Sequence, residues 1–414
     1  MRAAQFASAL VAASPCVASI LPAPEDTLLL GPDLVDFHKA LVEIESISGN
    51  EKAVGEWLCE SLVNQGYHAE RQYVSKDPER FNIFAWPGHN RDPPVILSSH
   101  IDTVPPFLPY KSTKHPHNTT IFGRGSVDAK GSVATQIIAA NTLLATHQIS
   151  PNDIGLLYVV GEEVGGEGMK HANDLSLTPS TIIFGEPTEL ALVSGHKGIL
   201  SVTLTTYGKS GHSGYPWLGR SANEILVSAL AALMHLGTKL PPSDKFGTTT
   251  FNLGRIQGGV AANVIAQDAS ARIAVRIAAG TPDLIKKEIT TAIHDAVASY
   301  LDDHEEHDAD VKFSDIIDID FTGEGYGPID IDHDVPGFDV ITVNYGTDIP
   351  WWKKTVQDQK RYLYGPGSIL VAHSAKEELT VKDLEEAVEG YQKIVLFALG
   401  KGGKGEEEAK KEDL

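Results

Sequence analysis

Four short apolar runs punctuate the chain, and each stops at residues capable of chemistry. Val95-Ile96-Leu97 leads into Ser98-Ser99-His100-Ile101-Asp102, and Ile154 to Val160 leads into Gly161-Glu162-Glu163. Thr181 to Phe184 leads into Gly185-Glu186-Pro187-Thr188, and Ile369 to Ala372 leads into His373-Ser374. Runs this short, apolar and bounded by turn residues predict buried strands. Between them the period lengthens. Apolar residues at 34, 37, 41 and 44, then at 54, 57, 58 and 62, fall at helical spacing, and Gly131 to His147 and Val381 to Leu399 read the same way. Strands alternating with helices predict an α/β domain on a mostly parallel sheet.

The texture changes after Gly195-His196-Lys197-Gly198. Strands are expected at 199–207, 249–256, 263–265, 269–277 and 311–319, with helices at 221–236 and 282–301. Strand-helix-strand-strand-helix-strand is the ferredoxin-like α+β order. Residues 199–319 therefore read as a domain inserted into the first one, which spans 25–198 and resumes over 320–400. The resumed part carries a strand at 338–343, a helix starting near Asp348 and the 369–372 strand. The tail, 401–414, mixes Lys, Glu and Gly without periodicity and is expected to be disordered.

A length of 414 residues suits two domains. A formal net charge of −21 argues against a nucleic-acid partner and against attraction to an anionic membrane. At the N-terminus, Arg2 precedes an apolar stretch from Ala3 to Ala13, and Cys16-Val17-Ala18 offers small residues for cleavage. Residues 1–18 thus read as a signal peptide and the protein as secreted. Cleavage near Ala18 would remove Cys16 and leave Cys59 without a partner. Asn118-Thr119-Thr120 is an acceptor triplet for glycosylation at Asn118.

The strand ends assemble a constellation. In an open α/β sheet, chemistry lies beyond the carboxyl ends of the strands. His100 and Asp102 share one side of an extended chain, so the carboxylate can accept a bond from the imidazole and leave the other nitrogen for a metal. The glycine-rich Gly123-Arg124-Gly125-Ser126-Val127-Asp128-Ala129-Lys130-Gly131 allows a tight loop that presents Asp128. Paired glutamates also occur at 305–306, 377–378, 385–386 and 406–407, where a solvated face explains them. Glu162-Glu163 follows a wholly apolar strand, where it does not. In an extended segment the two would point to opposite sides, one toward a metal and one toward water. His100, Asp128, Glu163, Glu186 and His373 then give two divalent cations three ligands each if Asp128 bridges. That set suits zinc, with cobalt or manganese as substitutes.

These motifs, taken together with Thr103-Val104-Pro105, resemble the co-catalytic zinc peptidase family that includes aminoacylase, succinyl-diaminopimelate desuccinylase, acetylornithine deacetylase and glutamate carboxypeptidase. The resemblance implies two zinc ions bridged by Asp128, with His100 and Glu186 completing one site and Glu163 and His373 the other. It implies Glu162 as general base and Asp102 as the partner of His100. Ser210-Gly211-His212-Ser213-Gly214 resembles the family's lid motif, so His212 would stabilise the oxyanion, within its own chain or across a homodimer formed through the inserted domain. Gly258 to Ile265 also matches, and Asn263 would help bind the scissile group. Arg276, a basic residue ending an apolar strand, is a candidate for a substrate carboxylate, and Gly365-Pro366-Gly367 for the pocket wall. The expected activity is hydrolysis of small peptides with a free carboxylate. N-acyl amino acid hydrolysis is the close alternative, and a non-catalytic zinc-stabilised binding protein the alternative of another class.

Overall fold

The structure is a computed structural model that describes residues 14–15, 32–116, 118–303 and 312–402. Most of the expected signal peptide and of the expected disordered tail therefore lies outside the described residues. The described chain divides into two compact units, the second formed by Gly195–Asp330 and Thr342–Gly346.

The first unit is built on a seven-stranded mixed sheet. Its strands run in the order Ser14–Pro15, His68–Lys76, Glu79–Trp86, Ile154–Val159, Val95–His100, Thr181–Gly185 and Lys360–Tyr364. The last four are parallel to one another, and the first three join antiparallel at one side. Strands Val95–His100, Ile154–Val159 and Thr181–Gly185 are buried at every position, which is why they read as unbroken apolar runs. Helices Leu34–Glu43, Lys52–Asn64, Lys130–Ala145 and Val381–Ala398 contribute Leu41, Leu58, Ile137 and Ile394 to the same core. A small antiparallel sheet of Lys111–His115, Asn118–Phe122 and Glu378–Thr380 stands apart from the large one.

The second unit carries a four-stranded antiparallel sheet in the order Thr250–Gly258, Asp268–Ile277, Gly198–Tyr207 and Ile317–Tyr326. Helices Ala222–Lys239 and Pro282–Asp303 pack on it, with Leu204, Leu226, Ile273 and Ile289 in one core. Strand Gly198–Tyr207 alternates buried and more exposed positions, as a sheet covered on one face must. This is the ferredoxin-like arrangement. The unit extends to Asp330, beyond the expected 319, because its last strand runs to Tyr326 and Ile329–Asp330 then pairs with Gly195–His196.

Several expected elements are corrected. Residues 369–372 are not a strand. Val371 N bonds to Ser368 O and Ser374 N to Val371 O, so the segment is a succession of tight turns with Leu370 outermost. The fourth parallel strand is Lys360–Tyr364, whose charged start hid it. Residues 263–265 form a turn instead of a strand, closed by Val264 N to Ala261 O after Gly259 adopts φ 71°. The strand expected from 311 begins at Ile317, because Phe313–Asp315 closes a one-turn helix. Only one helical turn, Ile349–Trp351, follows Asp348. Finally, Cys59 is disulfide-bonded.

Candidate metal centre

The carboxyl ends of the parallel strands converge as an α/β sheet requires. His100 is the last residue of its strand. Glu162 and Glu163 follow Ile154–Val159 after a left-handed Gly161, φ 72°. Glu186 follows Thr181–Gly185 directly. Asp128 arrives from the glycine-rich loop that precedes helix Lys130–Ala145.

Two donor groups result, His100 with Asp128 and Glu186, and Asp128 with Glu163 and His373. His100 Nε2 lies 3.0 Å from Asp128 Oδ1 and 3.7 Å from Glu186 Oε1. His373 Nε2 lies 3.1 Å from Asp128 Oδ2 and 3.0 Å from Glu163 Oε1. The two oxygens of Asp128 therefore face different histidines. Mixed imidazole and carboxylate donors, three to a group with one shared, fit a pair of divalent cations.

The electrostatics describe a site that holds protons where cations would sit. Burial disfavours charge on His100, but the Glu186 carboxylate and the contacts to Asp102 and Asp128 outweigh it and raise its pKa well above the ordinary value. Bonds to Asp128 and Glu163 push His373 up to about 10. Asp128 resists the cost of burial through its two histidine partners and is held below the usual carboxylate range. Burial, reinforced by Glu186, Asp348 and Glu163, pushes Glu162 well up. Glu186 is pushed up to about 7, first by burial. A bound cation must displace such protons, so affinity falls as pH falls.

Two details of the expected geometry change. The closer partner of His100 Nδ1 is the Asp102 carbonyl oxygen at 3.0 Å, with the carboxylate Oδ1 at 3.5 Å. The Asp102 carboxylate instead accepts the Ser48 hydroxyl at 2.7 Å and the Glu162 and Glu163 amides at 3.1 and 3.3 Å. It thereby links the His100 strand to the glutamate pair. That pair is not extended, since Glu162–Val164 is one 3₁₀ turn. The side chains diverge around a helical turn and not across a strand.

The remaining candidates fall in different places. Gly365 is buried, and a Cβ there would come within 2.4 Å of Glu186 O. A Cβ on Gly367, at φ 77°, would meet Val127 at 2.9 Å. Both glycines thus let the chain pack closely against Glu186 and the Asp128 loop. Asn118 is half-buried, and its Oδ1 accepts Thr119 N at 2.8 Å. In the second unit, His212 is exposed, with Nδ1 accepting Gly214 N at 3.0 Å. Asn263 is its neighbour through Ser213 N to Asn263 O. Arg276 sits at the other end of the same sheet, paired with Ile199, while Gly208 N bonds Gln267 O near His212. From Asp268 to Arg276 the strand spans about 26 Å.

Sequence reasoning missed several buried groups. Glu377 is 1% exposed, not part of a solvated face, and it binds the Asp128 loop. Asp348 is buried with Oδ1 unpartnered, and burial pushes it up to about 8. Lys130 is fully buried and donates to the Leu41 and Ile44 carbonyls at 2.9 and 2.7 Å. His38 Nε2 donates to the Ser126 carbonyl oxygen at 3.0 Å. The signal available for Glu377 was its place four residues after His373.

Comparison with known proteins adds to this geometry. Residues 194–308 match the family model described as a peptidase dimerisation domain. The chain is similar to a probable carboxypeptidase of Arthroderma otae, 49% identical, with 90% of this chain and 87% of the relative covered. It is similar in structure to a tripeptidase of Staphylococcus aureus, with a TM-score of 0.71, 21% identity and coverage of 88% and 97%. It is also similar to an M20 family metallo-carboxypeptidase of Sulfolobus solfataricus, with a TM-score of 0.67, 16% identity and coverage of 89% and 99%.

Proposed function

The chain belongs to the M20 family of peptidases, and from that premise we propose that it is a metal-dependent hydrolase of carboxypeptidase or dipeptidase type, acting on small peptides with a free carboxylate. The observation that carries the reading is the divided Asp128 carboxylate, with one oxygen toward His100 and the other toward His373. His100, Asp128 and Glu186 would hold one zinc ion, and Asp128, Glu163 and His373 the second. When bound, the pair would polarise the scissile carbonyl and acidify water enough to yield a nucleophile near neutral pH.

The chain's own residues supply the rest. Glu162 takes a proton from the attacking water and returns it to the leaving amine. Burial and neighbouring carboxylates raise its pKa above the ordinary carboxylate value, the direction that strengthens it as a base. Asp102 holds the Glu162 and Glu163 amides in place. His212 is the proposed oxyanion donor, and Asn263 beside it the proposed contact to the scissile group. Arg276 is the proposed anchor for the substrate carboxylate. It stands a strand's length from His212 within the unit, so a small substrate that meets both draws them from different copies of the chain. The match to a dimerisation domain supports a homodimer that supplies those copies.

The test is a panel of dipeptides, longer peptides and N-acyl amino acids offered to the zinc-loaded chain beside Glu162→Gln. Release of C-terminal residues by the wild type alone is the expected result. Preference for N-acyl amino acids would move the assignment to an aminoacylase. Zinc binding without turnover of any amide would contradict an enzymatic role. Secretion is proposed on the apolar stretch behind Arg2 and on the Cys59 disulfide, which favours an oxidising compartment. Sequencing the exported chain should then find residues 1–18 removed, and an exported chain that still begins at Met1 would contradict the signal-peptide reading.

A further inference from the structure

One buried side chain organises the loop that presents the shared ligand. Each residue from Gly123 to Asp128 bonds to Glu377. Gly123 N donates to its main-chain oxygen at 3.2 Å, and the Ser126 hydroxyl to the same atom at 3.5 Å. The Arg124 guanidinium pairs with Oε2. Oε1 accepts the amides of Gly125, Val127 and Asp128 at 2.9, 3.1 and 3.2 Å. The small sheet explains the meeting. Glu378 pairs with Phe122, which sets Glu377 directly beside Gly123 as the loop begins.

The arrangement is costly unless it is complete. A carboxylate out of water is tolerated only when its charge and lone pairs are answered. Here Arg124, itself 2% exposed, answers the charge, and three amides answer one oxygen. These bonds hold the loop in the conformation in which the Asp128 carboxylate faces His100 and His373 at the same time. Glu377 also stands four residues after His373. The link between them is braced by the Ser374 hydroxyl to Val371 O at 2.7 Å and by Lys376 N to the Ser374 hydroxyl at 3.0 Å. One short segment therefore carries a candidate ligand and also holds the loop of the shared ligand.

We propose that Glu377 is a positioning residue that presets Asp128 for both cations, and so governs the affinity of the two metal sites together. The inference rests on the two-cation reading of the centre. Outer partners that orient a ligand typically contribute about 10–100-fold to metal affinity. A group acting through the shared ligand must spread its effect over both sites, whereas His373 belongs to one.

The experiment is competition for zinc against a chromophoric chelator, with cobalt absorption as a second readout, on wild type, Glu377→Gln, His373→Ala and Glu378→Gln. The Gln variant keeps the size but sets an amide NH₂ against either Arg124 or the loop amides. Weakening at both sites by about 10–100-fold is expected for Glu377→Gln, with a perturbed cobalt spectrum and turnover recovering as zinc is raised. His373→Ala should weaken mainly one site, and Glu378→Gln neither. If Glu377→Gln binds both ions like wild type and loses only melting temperature, Glu377 is structural and the proposal is overturned. If wild type binds no zinc, the reading of the centre fails first and takes this inference with it. Should Glu377→Gln not fold, Arg124→Lys loosens the same clamp. A smaller joint loss at both sites supports the proposal, and unchanged affinity overturns it.

Discussion

The two halves of the centre are built differently. His100, Asp128 and Glu186 are all buried, and two of them stand at the ends of parallel strands. Glu163 and His373 sit on a 3₁₀ turn and on a left-handed residue, φ 60°, and the His373 side chain is 50% exposed. The same donor chemistry is thus held by the sheet on one side and by turns on the other. Rigid, buried ligands suit a cation that stays. An exposed histidine on a turn suits one that exchanges, even though its partner Glu163 is buried. Glu162, the proposed base, lies on the turn side, next to Glu163.

The largest effect that would break or sharpen this contrast comes from the base. Glu162→Gln should lower kcat by about 10²–10⁴-fold with both metal sites still filled, checked by steady-state rates beside metal analysis. Retained turnover would remove the base from the turn side. Next come the two histidines. His100→Ala leaves buried carboxylates uncompensated and should cost about 3–5 kcal/mol of stability as well as its cation, measured by denaturant unfolding of the metal-free chain. His373→Ala should lose its cation with far less change in unfolding. Equal destabilisation would erase the contrast.

Asp102 couples the halves, since its carboxylate holds the Glu162 and Glu163 amides while its carbonyl meets His100. Asp102→Asn places an amide NH₂ against one of those donors. A fall in kcat of about 10–100-fold is expected, and an unchanged rate would detach Asp102 from the base. The effect most remote from the centre's chemistry is a pH dependence of stability. Burial lowers His38 from 6.5 to about 4, so the unfolded chain binds its proton first as pH falls. Stability from keeping this ring neutral is complete above about 6.5 and is lost toward 4, to a total of roughly 3 kcal/mol. His38→Gln should flatten the acid limb of the unfolding curve over that window.

The sheet side was legible because burial on both faces writes strands as continuous apolar runs, each ending at a ligand. The turn side was less so. His373 is found by its chemistry, yet the apolar residues before it pack one side chain, Val371, while Leu370 points outward. A short apolar turn and a short strand look alike in sequence. Lys360–Tyr364 was hidden for the opposite reason, since its charged start pairs with Asp332. Glu377 was misjudged because a paired glutamate near Lys reads as solvated. Its answering groups, Arg124 and three loop amides, lie some 250 positions away and leave no local trace.

The most direct test of a shared centre is anomalous diffraction from crystals of the zinc-loaded chain. Two peaks about 3.5–4 Å apart are expected, each within bonding distance of one Asp128 oxygen, with His100 and Glu186 at one peak and Glu163 and His373 at the other. A single peak, or two peaks that do not share Asp128, would contradict it.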